Sequence, residues 1–591
     1  VPHFGKEDEL IRMLTLLDEE CETQRAKLVS RAKDNLEIVR GPGQWKMKRN
    51  PYFLYNVIEK NIEAKVSKLA ETKPTIRVMP DRPGVEESCN VIQTCVEAIW
   101  DNRHMESRIE RLGYFGAIMG AGFAGTPFNR ELNNGDGDID FVARDPRSVG
   151  FDTAIVDSTD IDGGEFVEIQ DVMPLDIIQN TFPGRGGLVT RDDRLSVFEE
   201  PGKTPMGAIK TAIQRWTGGV QGATKGSAIP RCMVKEFWIK DRRSSSDNAG
   251  QFPIIEGLTS YALDGKPFPG GRRILTSMGD GGMIILKDEY NPYWDGAPPT
   301  DMLSWRVDLE SAWGPDEVQR MKRVQEAINR IGDAYTKNMI LNSVERMVVD
   351  KGALDKDELD KLSNEAAQII YKNPGREFKH DVPPPLPPET LPFINRLIEL
   401  SEVICGTADS ALQKRVPSIV TGPAVEGLQL AVETAQRAVA RRLEDFLQRV
   451  GQKLISRIFQ YYTTDRLLHY VGPTQEWTQF MFERSKILVS TDHKNGTKKL
   501  RNPEDIRKAY MDFKFKVEPG SSLAVARAQR SMMKFQFAQQ GWLPPWEAMK
   551  ELGIDNAEEK YNAAQKEIQA GRMQAPTPSK QGGQISKAIG M

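Results

Sequence analysis

Three carboxylates at alternate positions, Asp136, Asp138 and Asp140, follow Asn133-Asn134-Gly135 in the sharpest polar cluster of the chain. Acids at this spacing can ligate calcium in a loop, or gather a metal ion for phosphodiester cleavage. A calcium loop also needs glycine at its sixth place and a bidentate acid at its twelfth. Those places hold Phe141 and Arg147. Asn-Gly and Asp-Gly steps are strong hairpin signals, so a turn feeding a strand over 139–142 is the favoured reading, and a fortuitous cation site is the lesser one.

Two further stretches invite chemistry and fail on order or spacing. Gly116, Gly120, Gly122 and Gly125 lie close together, and bare backbone amides can cradle phosphate. A phosphate loop runs strand, GxxxxGK[ST], helix, whereas here the glycines follow a helix and no lysine closes the run. Tight packing of a helix end against a strand explains them better. The five cysteines, Cys21, Cys89, Cys95, Cys232 and Cys405, form no CxxC pair, and the five histidines form no HExxH or His/Cys cluster. Buried free thiols in a reducing compartment are expected, with no zinc site, no catalytic residue and no cofactor.

With no catalytic constellation, the elements carry the information. At 591 residues the chain should divide into several parts. A formal net charge of -3 argues against a protein that grips nucleic acid over its whole surface, though not against one that touches it in transit. No apolar run approaches the ~20 residues that span a bilayer. The start, Val1-Pro2-His3-Phe4, lacks both a secretory pattern and an initiator methionine, so a few leading residues are expected to be missing. We expect a soluble protein made in a cytoplasm.

In chain order, residues 7–38 read as an amphipathic surface helix or helix pair, 54–71 as a second helix, 75–79 as a strand and 86–116 as helix. From about 140 to 310 short strands alternate with turns, with some helix at 206–216, and Trp294, Trp305 and Trp313 are expected in the core where this region ends.

The organising stretch is 313–462. Met321, Val324, Ile328, Ile331, Tyr335 and Met339 mark a first helix at 315–342. A small α/β insert over 343–382 follows. Pro383-Pro384-Pro385-Leu386-Pro387-Pro388 forms a stiff return, and Leu391, Ile394, Leu397 and Ile398 mark a second helix at 389–404. A loop over 406–422 carries Lys414 and Arg415. A helix over 423–462, with Gly427 and Gly451 as candidate kinks, would be about 55–60 Å long. Strands are expected at 487–490 and at Phe513, Phe515 and Val517, returning to the β-rich part. Helices follow from 520, and a tail over 574–591 has the composition of disorder.

This order of parts resembles the portal, or head-to-tail connector, proteins of tailed bacteriophages, most closely the podovirus-type branch. The resemblance rests on Asn61-Ile62 through Pro74-Thr75-Ile76-Arg77-Val78, on the glycine-rich run 116–125 before a strand, on Val172-Met173-Pro174-Leu175-Asp176-Ile177, and on the helix, tip, proline return, loop and long helix of 313–462. It implies an α+β, elongated subunit. Its β-rich wing would span 1–312 with return strands at 463–519. The long helical stem would comprise 313–342 and 383–405, the small α/β clip 343–382, the tunnel loop 406–422, the long kinked helix 423–462 and the C-terminal helical crown 520–573.

By the same resemblance the subunits assemble into a ring, a homododecamer, through which double-stranded DNA enters and leaves the head. The implied partners are the terminase large subunit, the major capsid and scaffolding proteins and an adaptor or tail protein. The implied location is the portal vertex of the virion, with host cytoplasm during assembly. A channel must let the duplex slide, so a few cations suit it better than a basic grip. Lys322, Arg323, Arg330 and Lys337 on the first stem helix, with Lys414 and Arg415 in the loop, are the candidate DNA contacts. For any one of them, an ordinary solvated or intersubunit charge is the favoured reading. The rivals are a packaging enzyme, terminase or nuclease, which would need a Walker loop and an acidic cluster, and another structural virion protein.

Overall fold

The computed structural model describes residues 5–40, 55–70, 73–190, 230–241, 252–255, 257–260, 270–279, 282–343, 346–350, 374–375, 378–381, 387–407, 422–471, 477–491, 498–501 and 503–517, with short pieces between 533 and 566. Lys414, Arg415, the helix expected at 206–216, the helix expected within the insert, most of the proline return and nearly all of the tract after 520 lie outside the described residues.

Helix α1 (Gly5–Val39) is one continuous helix of 35 residues, not a pair. Its buried side includes Leu10, Leu14, Asp18, Cys21, Arg25, Leu28 and Ala32, a run of three- and four-residue steps that keeps one face turned inward. Helix α2 (Val57–Ala70) and strand β1 (Ile76–Pro80) follow where expected. The helix anticipated over 86–116 is two: α3 (Glu86–Asn102) and α4 (Met105–Met119). His104 between them adopts a left-handed backbone, φ 48°, a conformation that no α-helix can continue through.

At the end of α4 the glycine run is structural. Gly120 closes the helix at φ 92°, and a Cβ on Gly116 would lie 2.6 Å from Trp305. Strand β2 (Ala121–Gly125) therefore starts hard against the helix it leaves, every residue buried. Strand β3 (Phe128–Asn129) pairs antiparallel with β4 (Asp138–Ile139) across the Asn-Gly turn, where Asn133 and Asn134 carry positive φ. The expected strand over 139–142 divides there: β4 stops at Ile139, and Val142 opens β5 (Val142–Arg144), which pairs with β2.

The β-rich part centres on a six-stranded sheet. Strands β6 (Val149–Phe151), β7 (Phe166–Pro174), β8 (Arg231–Ile239), β9 (Thr259–Ser260), β10 (Arg272–Gly279) and β11 (Gly282–Tyr290) lie in the order β6-β7-β8-β10-β11-β9. Short helix α5 (Leu175–Thr181) follows β7. Strand β12 (Thr300–Ser304) completes a second sheet, β12-β2-β5. The tryptophans are core residues: Trp305 and Trp313 are buried, Trp294 packs half-buried against a core cluster, and Trp313 stacks on Phe151 with centroids 5.1 Å apart.

Helices α6 (Glu317–Ser343) and α7 (Thr390–Cys405) flank a two-stranded antiparallel pair, β13 (Arg346–Val349) with β14 (Phe378–Asp381). Helix α8 (Gly422–Tyr461) runs 40 residues, about 60 Å. Gly451, a candidate kink, allows close packing: a Cβ there would fall closer than 3.0 Å to the Phe515 ring.

After α8 come the hairpin β15 (Arg466–Val471) with β16 (Trp477–Phe482) and short helix α9 (Arg484–Leu488). Strand β17 (Val489–Thr491) pairs with β18 (Lys498–Leu500). Ile487 and Leu488 are thus helical, and the strand expected from 487 begins only at Val489. After short helix α10 (Pro503–Ile506), strand β19 (Phe513–Val517) alternates buried and exposed as its phenylalanines required. It does not return to the six-stranded sheet. It pairs antiparallel with β1, Ile76 opposite Val517, and packs on α8. Mixed helices and several separate sheets make the fold α+β.

Candidate functional site

Helices α6 and α7 are anchored at one end by a buried polar cluster. Asp316 caps α6, its Oδ1 accepting the Gln319 backbone N–H at 2.8 Å. That contact satisfies one of the free donors of the first turn. The next residue, Glu317, is wholly buried and surrounded by donors. Lys65 Nζ lies 2.5 Å from its Oε1, the Trp305 indole N–H donates at 3.0 Å, and Arg306 and Arg320 complete the shell at 2.9 and 3.0 Å. Burial alone would raise the Glu317 carboxyl. Lys65, then Arg306 and the Trp305 indole, outweigh that effect and hold it below the ordinary carboxylate value.

Lys65 also donates to the Cys405 carbonyl at 3.1 Å, so the same ammonium closes the last turn of α7. Beside it the Asn61 amide donates to Ser401 Oγ at 3.2 Å, and Asn61 Oδ1 accepts from Thr407 Oγ1 at 3.0 Å. Gly406, at φ 79°, ends the helix with its N–H on the Glu402 carbonyl. One turn of α2 thus fixes both the start of α6 and the point where the chain leaves α7. Above this cluster the two helices pack through Ile328 and Ile394, with Val324, Ile331, Leu397 and Ile398 partly buried beside them.

The candidate cations separate on this frame. Arg323, Arg330 and Lys337 are exposed and recur every seven residues. At ~3.6 residues per turn that spacing returns to nearly the same side of a helix, turned away from the side carrying Val324, Ile328 and Ile331. Among the described residues none of the three has an ion-pair partner. Lys322 leaves this group. It is half-buried and lines a groove against α1 with Lys27, Arg31, Asp34 and Gln319.

Two of the three aspartates are committed to structure, and Asp136 is exposed. Asp138 is buried and accepts from the Tyr462 hydroxyl at 2.7 Å, from Arg103 and from Asn133, while Asp140 pairs with Arg108 at 2.7 Å. Among the described residues no group of three or more His, Cys, Asp and Glu could hold a metal ion. All five cysteines are free and buried. No described helix is long and apolar enough to cross a membrane.

Lys65, Asn61 and Glu317 were missed because charged and amide residues read by default as solvated. A signal existed. Lys65 falls in the apolar register of α2, beside Ile58, Ile62, Val66 and Leu69, and a lysine in such a register needs a buried partner.

Compared with known protein families, the chain matches the model described as Phage P22-like portal protein over residues 18–588. Among curated proteins none matches.

Proposed function

The chain belongs to the phage P22-like portal protein family, and from that membership we propose that α6 and α7 form a channel wall with the Arg323–Arg330–Lys337 face turned to the duplex. The protein acts as a phage portal in DNA packaging and is a component of the virion capsid; family membership further implies an oligomeric ring and packaging partners.

The finer assignments are our reading. The stem comprises α6 and α7, the pair β13–β14 belongs to the clip, and the chain between α7 and α8 is the tunnel loop holding Lys414 and Arg415. Twelve copies form the ring, which docks the terminase large subunit during packaging and an adaptor or tail protein afterwards. Capsid and scaffolding proteins surround it, and the host cytoplasm is where it assembles. Its role is structural, with no catalytic residue and no cofactor.

The observation that carries the channel assignment is the unpaired cationic stripe. Three positive charges span about 21 Å of helix, a length over which duplex DNA carries roughly a dozen phosphate charges. Such sparse neutralisation holds the duplex loosely, as sliding requires. Lys322, half-buried in the α1 groove, is withdrawn from the contact set.

The test is the triple variant Arg323→Ala, Arg330→Ala, Lys337→Ala in assembled particles. Rings with a duplex-wide hole should persist in electron micrographs, while DNA packaging or retention falls. Unchanged packaging by intact rings would remove the stripe from the channel.

A further inference from the structure

Two apolar surfaces remain uncovered near the Glu317 cluster. On α7, Phe393, Leu400 and Val403 are 52, 46 and 62% exposed. They share the side of the helix away from Ile394 and Ile398, which pack toward α6, and exposed Arg396 lies among them. The second surface is the turn from Arg306 into α6, where Val307 and Leu309, 66 and 87% exposed, alternate with the exposed acids Asp308 and Glu310.

Glu317 places the turn level with the Val403 end of that face, which extends from there about 15 Å along α7 to Phe393. Arg306, which begins the turn, reaches Glu317 at 2.9 Å, and Lys65 joins Glu317 to the Cys405 carbonyl, two residues beyond Val403. Copies related by rotation about an axis meet only through surfaces at equal height along it. The α7 face carries exposed Arg396 with half-buried Glu399 beside it, and the turn carries two exposed carboxylates, so Arg396 offers the turn's acids an opposite charge at the rim of an apolar contact.

Resting on the ring reading above, we propose that the 307–310 turn of one copy seats on the Phe393–Leu400–Val403 face of α7 in the next copy. The contact is heterologous, each copy offering the turn on one side and the helix face on the other, and it closes when the ring closes. Asp308 and Glu310 flank the apolar centre and meet Arg396. The rim charges set register, and the buried leucines and valines supply most of the attraction.

The test uses the full chain with Leu309→Cys and Val403→Cys introduced together, oxidised after assembly and run denatured without reductant. A ladder of covalent oligomers is expected from the double variant and none from either single variant, because each single offers only one half of the bond. All five native cysteines are buried. A monomer of altered mobility would mean that the same chain covers the face, and would overturn the inference. Intact rings in micrographs without a ladder would also overturn it while leaving the family function untouched. Wild-type protein that never forms rings would remove the ring reading itself, and this inference with it. Independently, Leu400→Glu with Val403→Glu should raise the concentration needed for assembly at least about tenfold while circular dichroism shows folded subunits. Unchanged assembly of that variant would also count against the contact.

Discussion

Lys65 on α2 holds Glu317 at the first turn of α6 by a 2.5 Å contact from which solvent is excluded on both sides, the two side chains being 1% and 0% exposed. Two charges so deeply withdrawn are stable only while paired, since removing one partner leaves the other buried without compensation. Glu317→Ala leaves Lys65 and part of the charge of Arg306 and Arg320 unopposed, and should cost about 3–5 kcal/mol. Lys65→Met should cost less, because Glu317 keeps its two arginines and the methionine fills the apolar register of α2. Denaturant midpoints of the two variants check the ranking, and a Lys65→Met variant less stable than Glu317→Ala would contradict it.

The same pair sets a pH dependence. The folded Glu317 carboxyl lies below its ordinary 4.5, so its contribution is fully present above that value and is lost as pH falls through the lower folded one. Asp316 and Asp162 shift the other way, raised chiefly by burial, and their protonation on acidification partly offsets the loss. The stability gap between wild type and Glu317→Gln isolates Glu317 from both. It should be constant at neutral pH and shrink below about pH 4.5. Denaturation curves across that range measure it, and a gap that widens on acidification would reverse the sign.

Gly451 tests how closely α8 meets β19. Replacing a helix-interior glycine by alanine ordinarily gains about 1 kcal/mol. Here the added Cβ would clash with the Phe515 ring, lying closer than 3.0 Å to three of its carbons, and overpacking typically costs about 1–3 kcal/mol. The steric term should win, making Gly451→Ala destabilising by roughly 1 kcal/mol or more. Adding Phe515→Leu should recover part of the loss. A stabilised Gly451→Ala would mean that β19 yields easily.

The long helices were legible because they are long and periodic. Expected at 315–342, 389–404 and 423–462, they run over Glu317–Ser343, Thr390–Cys405 and Gly422–Tyr461. Pairings distant in sequence were not legible. Alternation identified β19 as a strand, but nothing local in Phe513–Val517 names β1 as its partner. Ile487 and Leu488 suit a strand or a buried helix equally well, and only tertiary packing decides. Of the candidate contacts, the seven-residue repeat of Arg323, Arg330 and Lys337 was readable from spacing. The position of Lys322 in a groove against α1 was not, because it depends on α1 lying alongside.

The cysteines should be silent in the native protein. The thiolate is the reactive form, and burial pushes the Cys89 and Cys405 thiols up to about 11. Cys21 and Cys95 are driven higher still, again chiefly by burial. Titration with a thiol reagent near neutral pH should find almost no reactive sulfur in the folded protein and all five after denaturation. A rapidly labelled cysteine would show a locally opened segment.

Glu326 offers a gain-of-grip test of the stripe. It is half-buried, three residues after Arg323 and four before Arg330, so it adjoins both cations and lowers the local positive potential. Glu326→Lys would turn the three-cation face into a four-cation one. Each added phosphate contact steepens the salt dependence of duplex binding by about 0.9 in log–log slope. If the face lines the channel, rings carrying Glu326→Lys should hold DNA more tightly and eject it more slowly at low salt, with the difference vanishing at high salt. The same variant should leave subunit stability within about 0.5 kcal/mol of wild type. Ejection kinetics at two salt concentrations decide the matter. An effect independent of salt would point to subunit packing as its cause, and no effect at either concentration would place the stripe away from the duplex.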